Sequence, residues 1–164
     1  MKTLTATLCL ILAGCAGAKI KTQEQVSKAL GTYELAHVDL RCTSSDAADI
    51  AQAFAGLLIS KMAALNVFPG YVAGPDASNA DLRLAVTVTG VRRVTAAERA
   101  LVGAMAGQAK LEVSVELVDV ATSERLGAFT VSGRSSSAWA EGQTTGNAVD
   151  EAAAGIARYL ADRR

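Results

Sequence analysis

Two runs of alternating side chains constrain this 164-residue chain more than any other feature. Leu82, Leu84, Val86 and Val88 interleave with Arg83, Ala85, Thr87 and Thr89; Ala109, Leu111, Val113, Val115 and Leu117 interleave with Lys110, Glu112, Ser114 and Glu116. Successive side chains of a strand point to opposite faces, so each run predicts a strand with one apolar and one polar side. Such strands belong to an antiparallel sheet covered on one side only. A polar turn over 119–124 leads into a third run, 125–133, in which Phe129 and Val131 are the expected inward residues, and the three make a meander. Residues 33–40 alternate as well and predict an earlier strand, with His37 on its less apolar side.

The helical signals lie between and after these strands. Thr43, Ser44, Ser45 and Asp46 offer N-cap oxygens, and Ile50, Phe54, Leu57, Leu58 and Leu65 then recur at helical spacing to about Asn66. Residues 67–80 hold Pro69-Gly70, Gly74-Pro75 and Ser78-Asn79, which predict a loop with at most a brief extended piece. Near the C-terminus Asn147 is the expected cap of a helix buried through Val149, Ala153, Ile156 and Leu160. The expected fold is therefore α+β, order β-α-β-β-β-α. It is a two-layer sandwich with a mainly antiparallel sheet of about four strands and two helices on one face. Thr87, Thr89, Lys110, Glu112, Ser114 and Glu116 on the other face are either solvated or set against a neighbouring copy.

The first residues carry an address. Lys2 precedes an apolar segment, Thr3 to Gly14, that ends in Leu12-Ala13-Gly14-Cys15, and this ending resembles a bacterial lipobox. The segment is shorter than the roughly 18 to 20 residues a membrane helix needs and has the layout of a signal peptide. Small residues at 13 and 14 admit the backbone to a peptidase, which leaves Cys15 as the expected first mature residue and lipidation site; the alternative is an ordinary signal peptide cut beside a small residue, with Cys15 incidental. Two or more acyl chains hold far more firmly than one. Ala16, rather than Asp, follows the cysteine, which by resemblance to proteobacterial sorting favours the outer membrane, facing the periplasm. The expected organisation is a signal peptide over 1–14, a polar membrane tether over 15–32 and one α+β domain over 33–164.

Cys9 leaves with the signal and Cys15 is acylated, so Cys42 stands alone among the three cysteines and no internal disulfide forms. Two readings of it stay open: a small buried side chain at a strand end, or an intermolecular disulfide. The chain has 16 basic and 16 acidic side chains, and removal of Lys2 leaves 15 against 16, which gives no electrostatic case for nucleic acid.

The connection over 94–108 is unusual, because Ala100-Leu101-Val102-Gly103-Ala104-Met105-Ala106-Gly107 is apolar and joins two polar-faced strands. It reads as a hairpin loop folded onto the core, with glycines where positive φ is needed, or as a self-association or membrane-touching tip. Leu101, Val102 and Met105 are the contact candidates. Trp139, the single tryptophan, covers one end of the core or makes a binding contact.

No catalytic constellation emerges from the residue types. His37 is the single histidine, so a zinc site would need carboxylates as its main ligands. Ser135, Ser136 and Ser137 lack the Gly-x-Ser-x-Gly setting of a nucleophile elbow. Asp46 with Asp49, and Asp150 with Glu151, fall in first turns of expected helices, where dipole compensation explains them. No cofactor and no metal are expected.

The succession Ala80-Asp81-Leu82, Ala100-Leu101-Val102-Gly103, Leu117-Val118-Asp119, the Phe129 strand and the Ala-rich closing helix resembles the bacterial lipoprotein family called domain of unknown function 4410, over roughly residues 33–164. Ser123 stands where a turn glycine is common in that pattern. The resemblance implies a cell-envelope lipoprotein and supplies no catalytic residue. The expected function is a non-catalytic accessory or assembly subunit, membrane-bound through its lipid and meeting copies of itself or an envelope protein. The alternative is a monomeric carrier or sensor of a small apolar ligand.

Overall fold

A computed structural model describes residues 17–43, 47–74, 79–102, 107–135 and 145–164. Strand β1 (Gly17–Glu24), a 3-10 turn at Leu30–Thr32, β2 (Leu35–Cys42), α1 (Ala48–Ala64), β3 (Gly70–Ala73), β4 (Leu82–Arg92), α2 (Ala96–Val102), β5 (Lys110–Asp119), β6 (Arg125–Arg134) and α3 (Thr145–Ala161) follow in that order. The strands form one six-stranded sheet in the order β1-β6-β5-β4-β2-β3.

The class is α+β, but the expectation of about four mainly antiparallel strands with two helices is corrected by a six-stranded mixed sheet with three helices. The meander β4-β5-β6 is antiparallel, whereas β2 pairs parallel with both β3 and β4. The chain leaves β2 through α1, and a strand-helix-strand crossover returns the next strand in the same direction. β3 is only four residues long, too short for a periodic signal inside a loop rich in turn formers.

The sixth strand comes from the stretch read as a tether. β1 adds antiparallel to β6 with Ile20 opposite Val131 and Thr22 opposite Phe129. Ala18 and Ile20 pack on the core, while Lys19, Lys21 and Gln23 alternate to the other face. The Ser27 amide then donates to the Leu126 carbonyl, and Leu30, fully buried, donates to the Arg163 carbonyl, so this segment is laced into the domain at both layers.

α1 and α3 pack against each other on one face of the sheet, α1 over β2 and α3 over β1, β5 and β6. Phe54, Leu58 and Met62 of α1 and Ile156 and Leu160 of α3 meet Leu84, Leu111, Leu117 and Phe129 of the sheet, all fully buried. Burial of this apolar surface, at about 25 cal/mol per Å² removed from water, drives the layers together. The Tyr159 ring stacks on Phe129 at 4.2 Å between centroids and carries the Arg163 guanidinium 3.4 Å from its own centroid. Two glycines let α3 approach: an added Cβ at Gly133 would stand 2.6 Å from the Ala152 amide, and one at Gly155 would strike the Ala18 Cβ. The cap candidates Ser44, Ser45 and Asp46 for α1 lie outside the described residues. α3 begins at Thr145, two residues before the expected Asn147 cap, and its Thr145 hydroxyl accepts from the Val94 amide at 3.1 Å.

Candidate functional site

Three residues singled out in the sequence, Cys42, Leu101 and Val102, lie at the end of the sheet where β1 begins. Pairing sets Gly17 against Arg134, Arg134 against Lys110 and Lys110 against Arg92. β2 also ends on this side, at Cys42 opposite Val88. Cys42 is exposed, which corrects its reading as a buried strand-end residue.

The connection between β4 and β5, expected as a loop, contains α2. Its start is a capping box: Thr95 Oγ1 accepts from the Glu98 amide at 3.1 Å, and the Glu98 carboxylate accepts from the Thr95 amide at 2.7 Å. These bonds hold the Glu98 carboxyl below its ordinary range, the Thr95 amide contributing most. The Thr95-x-x-Glu98 spacing was the sequence signal for this helix. The end of α2 presents Leu101, 85% exposed, and Val102, 50% exposed, to solvent. The chain re-enters the sheet through Gly107 at φ 77°, a left-handed conformation that suits glycine, with the Arg92 guanidinium where a Cβ would project. Of the predicted contact residues, Leu101 and Val102 are thus side by side at this end. Cys15, Met105 and Trp139 lie outside the described residues.

The face of the sheet away from α1 and α3 is polar. Near the β1 end a groove of about 320 Å³ is lined by Lys19, Lys21, Gln23, Lys110, Glu112, Thr130, Ser132 and Arg134. Lys110 pairs with Glu112 at 2.6 Å, and Gln23 donates to the Thr130 hydroxyl at 3.1 Å. Lys19, Lys21 and Arg134 have no carboxylate partner among the described residues. Ser132 Oγ, buried in the floor between Lys19 and Glu112 in register, has no hydrogen-bond partner there either. This groove was missed in the sequence, because it depends on β1 pairing with β6. Further along the face, charges alternate and pair: Arg41 with Asp39 at 2.7 Å, and Arg125 with Glu24 at 2.7 Å and Glu116 at 3.6 Å.

His37, expected on the less apolar side, is on that face yet only 2% exposed, because β3 and β4 flank it and its Nε2 bonds the Gly74 carbonyl. At the opposite end of the sheet Tyr33 donates to Asp119 at 2.9 Å. Burial, then this bond, pushes the Tyr33 hydroxyl up to about 12. The Thr122 amide, followed by the Tyr33 hydroxyl, holds the Asp119 carboxyl below its usual range. A second groove, about 480 Å³, lies beside the β4 bulge between Thr43, Ala47, Val88, Gly90 and Arg93, and Arg93 pairs with Asp49 at 2.7 Å. Between the layers, where an apolar ligand would sit, Phe54, Leu58, Leu84, Phe129 and Ile156 fill the space. Among the described residues no cluster of three or more His, Cys, Asp or Glu is arranged for a metal ion, and no helix is long and apolar enough to cross a membrane.

These features define a two-layer α+β domain with one polar sheet face that no described helix covers and an apolar-tipped helix at the end where its first strand begins. Residues 17–152 match the family described as "Domain of unknown function (DUF4410)", and the chain belongs to that family. Its fold is similar to a PelC dodecamer from Paraburkholderia phytofirmans that carries one leucine-to-methionine substitution, with TM-score 0.62 and 18% identity over 90% of this chain and 99% of that one. A second PelC dodecamer structure from the same organism gives TM-score 0.61 and 16% identity over 85% of this chain and 94% of that one. Lipoprotein GNA1162 from Neisseria meningitidis aligns at TM-score 0.41 and 13% identity over 79% of this chain and 99% of that one. No curated protein matches the sequence.

Proposed function

We propose that this chain is a lipid-anchored lipoprotein of the cell envelope, held through acyl chains on Cys15 at the outer membrane facing the periplasm, and that it works without catalysis as an assembly subunit in several copies. The observation that carries the reading is the bare sheet face. Among the described residues α1 and α3 cover the six strands on one side only, and the other side offers interleaved acids and bases such as Asp39, Arg41, Glu116 and Arg125. A surface of paired opposite charges is complementary to itself, which suits contact between identical chains. The similar PelC fold occurs as a dodecamer, which supports the same use here. The anchor half of the reading rests on Leu12-Ala13-Gly14-Cys15.

Radiolabelled palmitate should enter the wild-type protein and not Cys15→Ser; equal labelling of both would overturn the anchor. Light scattering on detergent-extracted protein after size exclusion should give a protein mass of several protomers. A clean monomer across the micromolar range would overturn the assembly.

A further inference from the structure

We propose that the basic groove beside the start of β1 is a headgroup site for anionic membrane lipid, and that α2 lays Leu101 and Val102 against the same bilayer. The proposal rests on the lipid-anchor reading for its geometry, because an acylated Cys15 stands two residues before Gly17. Three features that are distant in sequence then share one end of the domain. They are the first residue of β1, the ladder partners Arg134, Lys110 and Arg92, and the exposed tip of α2.

The chemistry of the groove fits a phosphodiester. Lys19, Lys21, Lys110 and Arg134 face one carboxylate, Glu112, which Lys110 already engages. Three cations without acidic partners among the described residues, concentrated in one groove, create a positive potential that anionic headgroups neutralise. The Ser132 hydroxyl, without a partner among the described residues, supplies a hydrogen-bond donor in the groove floor for a phosphate oxygen. Leu101 and Val102 leave apolar surface in water, and an interfacial position beside the anchor removes it. A lipid surface satisfies the cations, the hydroxyl and the apolar tip together, whereas a free anion satisfies only the first two.

The test is amide hydrogen exchange on the full-length lipidated protein, reconstituted in phosphatidylcholine vesicles with and without phosphatidylglycerol. Flotation with pure phosphatidylcholine reports the anchor alone, so failure of the anchor and failure of the docking are read separately. Phosphatidylglycerol should slow exchange in residues 17–21 and 96–102 at low salt, and salt at about 0.5 M should abolish the effect by screening. Lys19→Gln and Arg134→Gln should each weaken it about fivefold, from the usual contribution of one basic residue at an anionic surface, with Tm unchanged. Leu101→Asp should remove protection of 96–102 while leaving that of 17–21. Equal exchange on the two vesicle types would overturn the proposal, as would protection that persists in the Lys19→Gln, Arg134→Gln double variant. Protection reproduced by inorganic phosphate over pure phosphatidylcholine would assign the groove to a free anion and overturn the lipid.

Discussion

Two glycine-to-alanine changes in helices of this protein should move its stability in opposite directions. Gly56 is exposed on α1 with nothing within 4 Å of the place a Cβ would occupy. Alanine there gains about 1 kcal/mol in helix propensity and meets no obstacle. Gly155 on α3 is buried, and its added Cβ would collide with the Ala18 Cβ of β1 and sit 3.4 Å from Val131 Cγ1. Overpacking of that kind costs about 1–3 kcal/mol. β1 is an edge strand that can yield only by straining its ladder to β6, so the upper part of that range applies. The same propensity gain offsets about 1 kcal/mol, leaving a net loss of about 1–2 kcal/mol. For a chain of this size 1 kcal/mol shifts Tm by about 2–4 °C. Differential scanning calorimetry should therefore show Gly56→Ala raised by about 2–4 °C and Gly155→Ala lowered by about 2–8 °C. A Gly155→Ala protein stabilised as much as Gly56→Ala would refute the packing of α3 over β1, and residues 17–24 would return to being a tether.

Other expectations follow from the hydrogen bonds. Tyr33 titrates at about 12 when folded against about 10 in an unfolded chain, so its contribution is complete below pH 10 and is lost as pH rises toward 12. Asp119, held low, contributes above about pH 4 and loses that contribution as pH falls through its depressed value. Urea midpoints across pH should show both limbs, and Tyr33→Phe should flatten the alkaline one. Ser123 sits at φ 59°, and Ser123→Gly should raise stability by up to about 1 kcal/mol in urea titration, since left-handed strain outweighs the added chain freedom. Thr95→Ala removes the hydroxyl side of the α2 capping box, so hydrogen exchange in residues 96–102 should accelerate while the core strands keep their protection, the local cost being about 1 kcal/mol.

What could be read from the sequence followed the strength of each periodicity. β4 and β5 show four or five uninterrupted alternations, and α1 and α3 bury stripes of Ile50, Phe54 and Leu58 or Val149, Ile156 and Leu160, so these elements were legible. β1 was not, because Lys19, Lys21 and Gln23 fall on the polar face and only Ala18 and Ile20 mark the inward side. An edge strand has few apolar residues to announce it and is commonly blunted with lysine. α2 was hidden because the uniformly apolar run 100–106 shows no helical stripe, leaving the Thr95 and Glu98 pair as its local signal.

The site was legible in part for the same reason. Leu101 and Val102 stood out as apolar residues between polar strands, and their exposure makes that oddity physical. The basic groove depends on Lys19, Lys110 and Arg134 meeting across three strands, a register that emerges only once β1 is paired. His37 shows the reverse error: alternation placed it on the polar side correctly, but burial came from the short β3 beside it.

If the domain begins at a membrane on a lipidated cysteine, intact mass spectrometry of the protein extracted from its native membrane will record the lipid on the chain itself. The predicted result is a polypeptide beginning at Cys15 and carrying the added mass of several acyl chains. A mature chain that begins at another residue, or one that begins at Cys15 without acyl mass, would contradict it.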